Sequence, residues 1–163
     1  MRKTLTYDRG TSKLGQGPSS ATTLVDIEKL GLRNITFSAA KVTLGAMTTM
    51  ADIANHPKLG FLAPVARAIG GPAVRNMGTV GGNLFAPSPY GDFTVALLAL
   101  DATVSVQGGL GARDMPIEEF LQSRERQSGA LVLAVSCPRP ASADAFRYRK
   151  IARIKPKGGS VIT

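Results

Sequence analysis

The chain has no tryptophan, one cysteine and one histidine, and each shortage removes a class of chemistry. Cys137 alone cannot form an internal disulfide or a thiolate metal cluster. It sits in the apolar run LVLAVSCP, where a free cysteine behaves as a small core hydrophobe. His56 is followed by Pro57 and has no second imidazole to work with. A histidine metal site and a His-based triad are therefore set aside. No apolar run approaches the length that crosses a bilayer. The start Met1-Arg2-Lys3-Thr4-Leu5-Thr6-Tyr7-Asp8 is basic but has no apolar core after it, so it does not read as a secretory signal. A cytoplasmic protein with no membrane partner is the expectation.

Acidic residues are also scarce: 11 Asp and Glu face 20 Lys and Arg, a net charge of +9. Seven of the basic residues fall in 139–157 (Arg139, Arg147, Arg149, Lys150, Arg153, Lys155 and Lys157), opposed only by Asp144. A basic stripe is the electrostatic footprint of nucleic-acid binding. It equally suits a phosphate-bearing cofactor, an acidic protein partner or a solvated surface. Stacking aromatics usually accompany single-strand binding, yet only Phe146 and Tyr148 lie in the stripe. The balance favours a cofactor or a protein partner over nucleic acid.

What the chain does have is a Gly-rich stretch around which the rest is organised, Arg75-Asn76-Met77-Gly78-Thr79-Val80-Gly81-Gly82-Asn83 running on through Pro87, Ser88 and Pro89 to Asp92. Glycine is expected where the backbone needs positive φ or approaches something closely, so this stretch reads as a loop rather than a helix. Thr79, Asn83 and Ser88 add hydrogen-bonding groups, and backbone N–H donors there suit an anionic guest. A surface turn is the plainer reading. The stretch satisfies neither the G-x-G-x-x-G dinucleotide pattern nor the P-loop ending, so spacing alone stops at an anion-binding loop.

In chain order, residues 1–22 read as an irregular N-terminal segment. Leu24–Ile27 leads into a turn, and strands are expected over Asn34–Ser38 and Val42–Met47. A helix opens at Thr49 with Asp52 as a capping box and ends near Pro57. Leu59 to Ile69 reads as a second helix closed by Gly70-Gly71. After the Gly-rich stretch, Asp92 is placed to cap a helix through Ala99 that is apolar all round and belongs inside. A strand over Ala102–Val106, a turn at Gly108–Gly111, a short helix over Met115–Leu121 and an apolar strand over Leu131–Cys137 follow. Ala145–Ile154 alternates as a strand whose edge is left unpaired. Strands in pairs and then alternating with helices give an α+β fold. At 163 residues the chain suits one domain that buries roughly two-thirds of its unfolded surface.

The run IGGPAVRNMGTVGGNLFAPSPYGDFTVALLALDATVSV (69–106) resembles the signature of the FAD-binding medium subunit of molybdenum hydroxylases, the xanthine and carbon monoxide dehydrogenase family. TLVDIEKL (23–30), KVTLGAMTTMADIANHP (41–57) and FRYRKIAR (146–153) are similar to further segments of that family, in its order. The resemblance implies a two-subdomain FAD-binding fold of the molybdopterin-dehydrogenase flavoprotein type, with the FAD-binding domain over 23–163. The N-terminal subdomain is expected to be incomplete, since only Gly10–Leu14 is similar to the family's first Gly loop. The C-terminal flavoprotein domain is expected to be absent.

The same resemblance implies roles. Thr79 would bond the FAD diphosphate, with Gly78, Val80, Gly81 and Gly82 giving backbone contacts, and Asn83 and Ser88 lying near it. Asp92 matches the acid on the adenosine ribose, as well as being placed to cap a helix. Lys150 matches the basic residue that reaches the flavin head, and Val132 a small apolar contact to the ring system. Arg75 and Asn76 could offer charge to phosphates or anchor the turn. The function implied is an FAD-binding electron-transfer subunit of an oxidoreductase, carrying no catalytic residue or metal of its own. The molybdenum cofactor would belong to a large partner subunit and the iron–sulfur clusters to a small one. The rival readings are a remnant that no longer binds FAD alone and a basic polyanion-binding module.

Overall fold

The computed structural model describes residues 4–7, 23–86, 91–124, 129–142, 145–152 and 160–162. Its centre is a five-stranded antiparallel sheet built from β3 (Ile35–Phe37), β4 (Lys41–Gly45), β5 (Thr103–Gly108), β6 (Gly111–Pro116) and β7 (Leu131–Pro138), in the order β3-β4-β7-β5-β6. Before it come β1 (Thr4–Tyr7) and β2 (Thr23–Asp26), paired in parallel. Thr4–Tyr7 is thus a strand inside the stretch read as irregular. After it come β8 (Ile151–Ala152) and β9 (Ser160–Ile162), paired antiparallel. The edge expected to stand alone near the end of the chain therefore has a partner, and only Ile151–Ala152 of the expected strand over 145–154 is assigned as one.

One face of the large sheet is apolar because alternate residues share a face: Val42, Leu44, Val104, Val106, Met115, Val135 and Cys137 are all buried. On β7 the alternation breaks, since Val132 is buried as well. The register between β5 and β7 shifts at Ser105/Val106, leaving Leu133 as an extra residue. Such a bulge re-aims the flanking side chains, so Val132 and Val135 both reach the core. The carbonyl of Leu133 is taken by the Ala46 amide at 2.9 Å.

Besides a single 3-10 turn at Glu28–Leu30 there are six short α-helices among the described residues: α1 (Met50–Asn55), α2 (Ala63–Ala68), α3 (Pro72–Met77), α4 (Val80–Leu84), α5 (Asp92–Ala99) and α6 (Ile117–Ser123). They supply Met50, Ile53, Val65, Val80, Leu84, Phe93, Leu97 and Phe120 to the core. α1 starts as expected, with Thr49 and Asp52 forming a reciprocal capping box. The α5 expectation needs correcting. Gly91, not Asp92, is its N-cap, and Val95 and Leu98 are 38% and 37% exposed. Strand β6 was not foreseen, because GARDMP has five exposed residues on an edge strand and no apolar alternation to betray it. Among the described residues no helix is long and apolar enough to cross a membrane.

Candidate cofactor site

As far as Leu84 the Gly-rich stretch is not an open loop. It folds into α3 and α4, joined through Gly78 and Thr79, and none of Gly78, Gly81 and Gly82 has positive φ. Helix is possible because the turns are short and strongly tied. Thr79 caps α4, its hydroxyl accepting from the Gly82 amide at 3.1 Å, and it bridges to Thr49, the cap of α1. Gly78 O accepts from Met50 N, Val80 N donates to Thr48 O, and Gly81 N donates to Ala46 O at 2.8 Å. Gly81 is required for close approach. A Cβ there would lie 3.1 Å from the Ala46 Cβ and 3.2 Å from its oxygen.

These bonds bear directly on anion binding. The amides of Val80 and Gly81 are committed to Thr48 and Ala46 in the segment after β4, and that of Gly82 to the Thr79 hydroxyl. Gly82 is exposed, whereas Gly81 and Val80 are buried. Of the three, Gly82 is the residue a ligand can approach, by displacing a single capping bond.

The chain then reaches α5, and two side chains fix the approach. The Asn83 side-chain oxygen accepts from Thr94 N at 3.2 Å, while the Thr94 hydroxyl donates to Asn83 O at 3.1 Å. Asn83 thereby caps the first turn of a helix that starts nine residues later. Arg124, just past α6, donates to Leu84 O at 3.0 Å and Ala86 O at 3.4 Å. Ser88 lies outside the described residues.

Asp92 is buried at 5% exposure and pairs with Lys150, whose ammonium donates to Oδ2 at 2.6 Å. The resemblance puts Asp92 on the adenosine ribose and Lys150 at the flavin head, and in this structure the two side chains are joined. They form one locus. Tyr148 belongs to it too, because burial and then the Asp92 charge push its phenol up to about 12, and its hydroxyl is buried without a hydrogen-bond partner among the described residues. Along 146–150, Phe146, Tyr148 and Lys150 are partly buried while Arg147 and Arg149 are exposed. The alternation read from the sequence is real, even without strand pairing.

Val132 is 4% exposed, in the core. Arg75 closes the end of α2 through its guanidinium, 2.6 Å from Gly70 O and 3.3 Å from Ile69 O and Arg67 O. Asn76 lines a separate groove of about 680 Å³ with Arg33, Ile35, Asp52 and His56. Thr94, Arg124 and Tyr148 were missed. Thr94 had a signal as the one hydroxyl in the apolar run FTVALLAL, and Tyr148 as the aromatic two places before Lys150 on the same face. Arg124 had none.

Over residues 12–140 the chain matches the family described as FAD binding domain in molybdopterin dehydrogenase. It is 32% identical over 150 residues to the nicotinate dehydrogenase FAD-subunit of Eubacterium barkeri, covering 85% of this chain and 51% of that one. It is 37% identical over 123 residues to the 6-hydroxypseudooxynicotine dehydrogenase complex subunit alpha of Paenarthrobacter nicotinovorans, covering 71% and 42%. The chain thus spans about half the length of the curated relatives it matches. Reconstituted CO dehydrogenase from Oligotropha carboxidovorans contains a chain of the same fold, with a TM-score of 0.80 at 24% identity, over 97% of this chain and 58% of that one.

Proposed function

The chain belongs to the family of FAD-binding domains of molybdopterin dehydrogenases, and from that premise we propose that it holds FAD as the electron-transfer part of a molybdenum hydroxylase. The observation that carries the proposal is the locus at the start of α5. A buried carboxylate, an ammonium 2.6 Å away and an unsatisfied phenol meet there, beyond the Gly-rich helix. That donor and acceptor set fits a ligand rich in hydroxyl groups, such as the adenosine ribose of FAD.

In this reading Asp92 accepts from the sugar, and Lys150 keeps that carboxylate aimed. Thr79 and Gly82 receive the diphosphate, the Thr79 hydroxyl turning from its cap bond to the phosphate oxygens. Ser88 stays a candidate for the same group. Gly78, Val80, Gly81, Asn83 and Val132 hold α4 and the start of α5 in place rather than meeting the cofactor through side chains. Once bound, FAD supplies the redox centre. The chain's own residues bind and orient it, and none performs substrate chemistry. Electrons would arrive from iron–sulfur clusters on a small partner subunit, fed by a molybdenum centre on a large one. We place the assembly in the cytoplasm, in keeping with the unpaired, buried thiol of Cys137.

Titration of the purified chain with FAD, followed by flavin absorbance and fluorescence, tests the proposal. Saturable one-to-one binding is expected, weakened at least tenfold by Thr79→Val together with Gly82→Val. A folded wild-type chain that leaves the flavin signals unchanged would refute it and favour the remnant reading. Salt-sensitive DNA binding without flavin retention would favour the polyanion module.

A further inference from the structure

Tyr148 carries the buried side-chain polar atom that has no hydrogen-bond partner among the described residues. Most buried polar groups in native proteins are satisfied, and one that is not calls for a reason. The ring accounts for its own burial, since it packs against the apolar core with Phe146. Phenylalanine would pack as well. The hydroxyl is what needs explaining.

Its surroundings say what it can bond. The Asp92 carboxylate is near enough to oppose ionisation of the phenol, which burial already opposes. Tyr148 therefore stays a neutral O–H at physiological pH, a donor in search of an acceptor. Asp92 is itself engaged by Lys150. A phosphate placed there could only accept, and would face the Asp92 charge. A sugar diol can accept from Tyr148 through one oxygen and donate to Asp92 through the other, satisfying both.

We propose that Tyr148 is a further cofactor-positioning residue, its hydroxyl donating to a ribose oxygen of FAD at the Asp92–Lys150 locus. The inference rests on the FAD reading above and names a residue to which that reading gave no part. Because solvent does not reach the hydroxyl, binding has to part the contacts that cover it.

Tyr148→Phe tests this with two readouts of opposite sign. Removing an unsatisfied buried hydroxyl should leave the thermal midpoint of the cofactor-free chain unchanged or raised. The same change should weaken FAD binding five- to twentyfold by fluorescence titration. Adenosine diphosphate, which keeps the diol and lacks the flavin, should compete with FAD and lose affinity by a similar factor. Inorganic pyrophosphate should compete equally well against both proteins. Unaltered FAD affinity in the variant would overturn the proposal while leaving the FAD reading intact. A lowered midpoint without cofactor would overturn it too, by showing that the hydroxyl has a structural partner. Equal losses for pyrophosphate would move the contact to phosphate and overturn the ribose assignment. A wild-type chain that binds no FAD would remove both readings together.

Discussion

Gly81 shows how a single residue can be fixed by space rather than by backbone angle. Its φ is negative, so alanine is conformationally allowed and would even gain helix propensity of about 1 kcal/mol. The contact with Ala46 opposes this, at 3.1 Å to its Cβ and 3.2 Å to its oxygen. Overpacking a tight core contact costs about 1–3 kcal/mol. Gly81→Ala is therefore expected to lose about 1 kcal/mol net in urea unfolding. Ala46→Gly in the same chain should return part of that, since it removes the Cβ half of the conflict. A pair of effects that simply add would argue against the contact. Gly45 is tighter still. A Cβ there would overlap the carbonyl oxygen of Leu32, which is backbone and cannot swing away. Gly45→Ala should destabilise by about 3 kcal/mol or more, read by the same unfolding curves.

At the scale of elements, the capping box of α1 was legible because Thr49 and Asp52 stand at the required spacing. The partner of Asp52 was not legible. Arg33 lies 19 positions earlier, and it donates to Asp52 through Nε and Nη2, each at 2.8 Å. Its guanidinium holds the Asp52 carboxyl down to about 2, below the ordinary 3.8. A carboxyl depressed in the folded state stabilises above its unfolded pKa and loses that contribution as pH falls through the folded one. The contribution is thus full above about 3.8 and largely gone near 2. Arg33 is 56% exposed and Asp52 29% exposed, so solvent screening keeps the pair itself below about 1 kcal/mol. Asp52→Asn should cost about 1 kcal/mol at neutral pH, cap included. It should cost little near pH 2, and a penalty independent of pH would contradict the assignment. The Gly-rich stretch was misread as a loop for the same reason that Arg33 was missed. Glycine composition is a local signal, whereas α4 and its cap are held by Thr48, Ala46 and Thr49, thirty or more positions upstream. The central strands were legible from their alternation. The bulge at Leu133 was not, being a property of pairing rather than of one strand.

Across the whole molecule, the Asp92–Lys150 pair joins segments 58 positions apart and ties the residues beyond the large sheet to the start of α5. With side chains 6% and 13% exposed, neither charge can be stranded cheaply. Losing one partner of a buried pair typically costs about 3–5 kcal/mol, whereas replacing both by apolar groups of similar size is often close to neutral. Lys150→Met removes one partner of Asp92 and should therefore be destabilised in urea unfolding, and Asp92→Leu with Lys150→Met should recover part of the loss. Cofactor binding separates stability from function here. A ligand that binds only the folded state at one hundred times its Kd adds about 2.7 kcal/mol of stability, so FAD should raise the thermal midpoint of the wild-type chain. The double variant, folded but without its carboxylate, should melt at the same temperature with or without FAD. If FAD still stabilised it as much as the wild type, the pair would be an internal strut, and the cofactor would have to be held elsewhere.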